Sequence, residues 1–250
     1  MSYKKTTYSR NLLVILKESL VGMYNNLGYT ILSSLIWVLV TLPFAVFLMT
    51  TLQVELESEN PFGLLFMFAC VLLPYGALIL GPVNSTLFYL INQASEGWAG
   101  LRDLWVGLRT YYRRAAGIYT LYFALLLFLL LDIIICFFIL TPLFAKVIGI
   151  ILFYLLIFLL LASVYFSPLI VLQDNNWKKV LKKAFLLTLD NGPFTLFAGI
   201  IILAVGILFS FFLPLLIFAY GGFLQFYRLK IFYGVMEKYE DNVPAETNAE

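Results

Sequence analysis

One carboxylate stands inside an otherwise apolar run, Asp132 in the stretch from Ala115 to Leu140. An ionisable group at membrane depth is costly and marks proton relays, ion paths and substrate counter-ions. Asp132 reads either as a proton- or cation-handling group or as an interface carboxylate that orients its helix, since it lies about 27 Å along a helix from Arg114. Asn84, Ser85 and Thr86 follow a Gly81-Pro82 pair, and Gln225 follows Gly221-Gly222. Amides and hydroxyls beside helix-loosening residues either line a polar site or join helices by hydrogen bonds. Two basic clusters complete the set: Arg102, Arg109, Arg113 and Arg114, then Lys178, Lys179, Lys182 and Lys183. Near a bilayer each cation is worth about 1 kcal/mol toward anionic lipid, and the same cations set topology.

Other chemistry has no residues to perform it. The chain has no histidine, which removes the commonest general base and metal ligand together. Its two cysteines, Cys70 and Cys136, lie in separate apolar runs with no CxxC spacing and read as buried thiols. No nucleotide-binding loop, nucleophile–base pair or metal cluster occurs, so no cofactor is expected and the role reads as non-enzymatic. A net charge of +2 gives no reason to expect nucleic acid as a partner.

The elements that must hold these residues follow from composition. The 250 residues are 62% hydrophobic and only 12% charged, with mean hydropathy +0.96. Soluble domains sit near 45–50% apolar and about 25% charged, so this chain is expected to be an integral membrane protein. The fold class is all-α, a polytopic transmembrane helical bundle of six spans, with five as the alternative. The spans are placed at 30–52, 62–94 (a broken helix, because about 33 uncharged residues exceed one straight span and Pro74, Gly76 and Gly81-Pro82 interrupt it), 115–140, 144–172, 194–212 and 215–236.

Amphipathic stretches at 8–26, 98–112 and 176–189 read as interfacial helices. Trp98, Leu101, Trp105, Leu108 and Tyr112 recur at helical spacing in the second, and Trp177, Val180, Leu181, Ala184, Phe185 and Thr188 in the third. The acidic stretch 237–250 reads as a disordered tail, and no cleaved signal peptide is expected. The two elbows, each following a hairpin and opened by a tryptophan, suggest an internal duplication.

Charge orients the bundle. With six spans, Lys4, Lys5, Arg10, Lys17, both basic clusters, Arg228, Lys230 and Lys238 fall on one side, and Lys146 falls alone on the other. That asymmetry predicts a multi-pass cell-membrane protein with both termini in the cytoplasm. Arg228 is then about 22 Å down the last span from Pro214, where it reaches toward the inner headgroups.

The segments LIWVLVTLP (35–43), GPVNSTLFYLIN (81–92) and DLWVGLRTYYRRA (103–115) resemble the YesL-like family of bacterial membrane proteins. Here about 37 residues separate the Leu-Pro from the Gly-Pro, which lie close together in that family. The resemblance implies a multispanning protein of uncharacterised function, often encoded near carbohydrate-uptake genes, with Asp132 as the family's span carboxylate, and supplies no catalytic residues. The first functional expectation is a non-enzymatic accessory or scaffold component that touches the lipid bilayer, anionic lipids and other membrane proteins such as a transporter. The alternative is a small transporter or channel using Asp132 and the polar residues of the broken second span.

Overall fold

The computed structural model describes residues 11–58, 69–71, 73–173 and 176–240. Among the described residues there are eight helices and no strand. In chain order they are α1 (Leu12–Asn25), α2 (Leu27–Ser58), α3 (Ala69–Ser95), α4 (Arg102–Ile139), α5 (Leu143–Leu172), α6 (Trp177–Asp190), α7 (Gly192–Ser210) and α8 (Leu213–Tyr239). Six of them, all but α1 and α6, are long and apolar enough to cross a membrane, so the chain is an all-α, multi-pass bundle of about six spans.

The centre is a pair, α3 and α8. About half of their apolar windows is buried, 47% and 56%, against 11% to 22% for the other four spans. Asn84 meets Gln225 and, eight residues further along both helices, Asn92 meets Tyr233. The helices therefore run parallel. α2 lies against both: the Tyr75 hydroxyl donates to the Val40 carbonyl at 2.7 Å, and the Gly222 N–H donates to Ser34 Oγ at 2.8 Å. The last turns of α5 close the other side with buried Tyr165, Phe166, Leu169 and Ile170. α4 flanks α3, and α7 flanks α8.

The Gly-Pro expected to break the second span does not break it. The chain turns once as a wide π-helix over Gly76–Leu80, closed by the Gly81 N–H on the Gly76 carbonyl, and continues as α-helix through Pro82. Widening the turn accommodates a ring that cannot donate to the preceding turn. Glycine is needed here for contact: a Cβ on Gly81 would lie 2.4 Å from the Tyr119 ring, and one on Gly76 would lie 2.4 Å from the Phe123 ring. α8 repeats the device with a wide turn at Leu216–Tyr220 before Gly221. There the freed Gly222 N–H finds Ser34, and a Cβ on Gly222 would sit 2.8 Å from the Thr30 carbonyl oxygen.

Other expected boundaries move. The interfacial helix placed at 98–112 and the span at 115–140 are one helix, α4. Its 38 residues extend about 57 Å, roughly twice a 30 Å hydrocarbon core, so its basic first turns project past the apolar layer. A Schellman cap turns the chain from α3 toward it: Gly97 takes φ 82°, its N–H donates to Ala94, and the Trp98 N–H donates to Gln93. α1 is held to protein as well as presenting an apolar face outward: Ile15, Ser19 and Met23 are buried, while Leu13 and Leu20 are exposed. Glu18 pairs with Lys230 at 3.6 Å, and Gly22 lies over Phe226, so α1 runs antiparallel to α8.

The α6 face expected to rest on lipid is largely packed into the bundle instead, with Val180, Leu181, Ala184 and Thr188 buried. Helix continues to Glu240, so 237–240 are helical and not part of a disordered tail, and 241–250 lie outside the described residues. Lys4, Lys5 and Arg10 lie outside them too. Both cysteines are free; Cys136 is buried as expected, but Cys70 is exposed.

Candidate functional site

The polar residues of the second span are satisfied at close range. Asn84 Nδ2 donates to the Leu80 carbonyl at 2.9 Å, Ser85 Oγ to Gly81 at 3.1 Å and Thr86 Oγ1 to Pro82 at 2.9 Å. Each side chain bonds back one turn, over the stretch where the wide turn and Pro82 disturb the backbone ladder. Asn84 also reaches across the bundle, where its Oδ1 accepts from Gln225 Nε2 at 3.3 Å. Gln225 is fully buried, and its Oε1 has no hydrogen-bond partner. The structure thus brings Asn84 and Gln225 together and packs Ser85 and Thr86 beside them on α3.

Asp132 is not part of this cluster. Gly81 packs against Tyr119, and Asp132 lies thirteen residues further along α4, about 20 Å away along the axis. It is half-buried, one turn before the wide turn at Ile135–Ile139 that ends α4. Four cavities of about 290–460 Å³ are lined by other side chains, and none of them joins Asn84, Asp132 and Gln225. No group of His, Cys, Asp or Glu side chains among the described residues could hold a metal ion.

The basic clusters lie at one end of the bundle. Arg102, Arg109 and Arg113 are exposed along the projecting part of α4, and Arg114 is half-buried. Trp105 and Tyr112 are exposed on the same projection, and Trp98 and Leu101 in the connection leading into it, Trp98 to 79%. An aromatic face flanked by arginines is thus left open beyond the spans. On α6, Lys178, Lys179, Lys182 and Lys183 are exposed. Lys178 lies over the Trp177 ring at 5.3 Å, and Lys183 donates to Gln173 Oε1 at 2.7 Å. A short network at the same end ties α6 to α8: Asp190 accepts from Lys238 at 2.6 Å and from the Tyr239 hydroxyl.

Sequence reasoning missed the least satisfied groups in the bundle. Ser33 Oγ, Tyr227 Oη and two nitrogens of Arg228, Nε and Nη1, are buried without a hydrogen-bond partner. Arg228 lines a cavity between α5 and α7 with Ser163 and Gly199. The residues flanking it, Tyr227 and Leu229, are buried. Membrane depth within a mostly apolar block was the available signal; it was outweighed by grouping Arg228 with the terminal cations. No protein-family model, curated protein or solved structure matches the chain, so the likeness to the YesL-like family rests on the three quoted segments alone.

Proposed function

We propose that this chain is a non-enzymatic accessory or scaffold component of a membrane complex. The reading places it in the cell membrane, with its basic end and both termini in the cytoplasm. The observation that carries it is the open aromatic and basic surface at the start of α4, where exposed Trp105 and Tyr112 on the helix and Trp98 and Leu101 in the connection before it stand with Arg102, Arg109 and Arg113. Exposed apolar residues rimmed by charge mark interaction surfaces, and Trp, Tyr and Arg are the side chains that most often dominate binding energy. The α3 polar residues support the same reading, because Ser85 and Thr86 are engaged by their own helix and Asn84 by Leu80 and Gln225. The YesL resemblance suggests a carbohydrate-uptake transporter as the partner, with the lysines of α6 resting on anionic lipid.

The test is purification from native membranes in mild detergent, with mass spectrometry of what accompanies the chain. Leu101→Glu with Trp105→Glu is the control, since both side chains are exposed and outside the buried core. A stoichiometric partner lost in the double variant is expected; a chain that purifies alone in both forms overturns the reading.

A transporter is the second reading, favoured by the unbonded Oε1 of buried Gln225. It requires solute or ion flux in reconstituted vesicles that falls in Gln225→Leu or Asp132→Asn; flux equal to that of empty vesicles rejects it.

A further inference from the structure

We propose that the outer part of α5, Leu143–Ala162, is a lateral gate that swings about a hinge at Ser163–Tyr165 and opens the seam between α5 and α7, letting water reach Arg228. The hinge has a cause in the sequence. Pro168 has no N–H to give the Val164 carbonyl one turn back. The helix tightens there into a 3₁₀ turn, closed by the Phe166 N–H on the Ser163 carbonyl. Such a turn inside a long helix is a usual place for bending.

The two sides of the hinge are held differently. From Val164 to Ile170 every residue is buried. There the Tyr165 and Thr195 hydroxyls join α5 to α7 at 2.6 Å, and Phe166 packs edge-on against Tyr119 and Tyr122 of α4. These contacts are the fulcrum. On the outer side Ile150, Ile151, Tyr154 and Leu155 are exposed, and α5 and α7 part around a groove of about 360 Å³ that Leu160, Leu161, Gly199 and Leu203 help to line. Two other seams of the bundle are shut by glycine. Gly76 and Gly81 bring α3 onto Phe123 and Tyr119 of α4, and Gly221 and Gly222 bring α8 onto Trp37, Ser34 and Thr30 of α2. The one glycine of α5, Gly149, faces Phe137 and Cys136 of α4 and leaves the seam with α7 unclosed.

The force that opens the gate sits beside the hinge. Arg228 lines the groove next to Ser163, and its Nε and Nη1 are buried with no hydrogen-bond partner. A guanidinium stays charged at any physiological pH, and a buried charge whose donors go unmet is costly. Apolar packing holds the arm in the arrangement described; hydration of the two donors favours the arm swung away. The opposed terms leave both states populated. The device does not depend on the partner proposed above.

The arm has 20 residues, so it is about 30 Å long and a swing of ~10° moves its far end about 5 Å. The experiment uses the full chain in nanodiscs with Cys70→Ala and Cys136→Ala. Spin labels are attached at Ile151→Cys, toward the far end of the arm, and at Leu208→Cys on α7, both exposed positions. Pulsed dipolar spectroscopy is expected to show two distance populations separated by about 5 Å. Pro168→Ala restores the missing donor and is expected to leave one narrow population. Arg228→Met keeps an apolar stem without the charge, and is expected to lower the share of the wide population about tenfold, or ~1.4 kcal/mol.

A single narrow population in the wild type would overturn the gate. Two populations unchanged in folded Pro168→Ala would overturn the hinge, and a wide share unchanged in Arg228→Met would overturn the buried charge as the opening force.

Discussion

The Gly222 N–H and the Ser34 hydroxyl meet at 2.8 Å across α2 and α8. The bond exists because the wide turn at Leu216–Tyr220 frees a backbone donor from its own helix, and glycine lets α2 approach closely enough to accept it. Removing the acceptor leaves a buried N–H unpaired, which costs about 1–3 kcal/mol. Ser34→Ala is expected to lower thermal stability in detergent by that order. Gly222→Val should do more harm, because its Cβ alone would lie within 2.8 Å of the Thr30 backbone. Equal stability of Gly222→Val and wild type would remove this account of the α2–α8 contact.

The glycines of α3 should rank by what their missing side chains would strike. At Gly81 the obstacle is the Cβ and Cγ of Tyr119, near the backbone of α4; at Gly76 it is the outer edge of the Phe123 ring, which can swing away. Gly81→Ala is therefore expected to destabilise more than Gly76→Ala. Tyr119→Ala should recover part of the loss at Gly81. Melting temperatures of the two single variants and the pair decide this, and the reverse order would count against it.

Asn84 and Gln225 are predicted to couple weakly. Interhelical hydrogen bonds in membranes average about 0.6 kcal/mol and reach about 1.7, and at 3.3 Å this bond is long. A double-mutant cycle with Asn84→Leu and Gln225→Leu, read by unfolding in mixed micelles, is expected to give a coupling near the lower figure. Coupling of several kcal/mol would show that the pair does more than join α3 to α8.

Orientation has a direct test. A cysteine in place of Asn248 is expected to react with a membrane-impermeant reagent only after the cells are opened, the result required if six spans and the charge asymmetry act together. Labelling of intact cells would reverse the assignment of the basic end.

Helix identity and number were readable because twenty-residue apolar runs separated by charge leave few alternatives. The path through Gly81-Pro82 was not readable: both residues signal a break, and only the Tyr119 and Phe123 rings show that they serve a close contact. The α4 elbow was misplaced for a related reason. An amphipathic run followed by an apolar one has the same pattern whether the helix bends at Arg114 or continues through it. Of the candidate site, the pairing of Asn84 with Gln225 links positions that no local pattern connects. Arg228 was legible as a charge but not as an orphan, since that depends on what α5 and α7 place beside it.

The parallel pairing of α3 with α8 sets the order of assembly. The final helix packs against α1, α2 and α3, the first three to be made. Until it is synthesised, Asn84 lacks its partner amide and Ser34 has no N–H to receive. Five spans can enter the bilayer, yet the centre of the bundle stays open until the ribosome has released the last one. A chain cut short before Leu213 would insert without closing, and would present those unsatisfied groups to quality-control proteases.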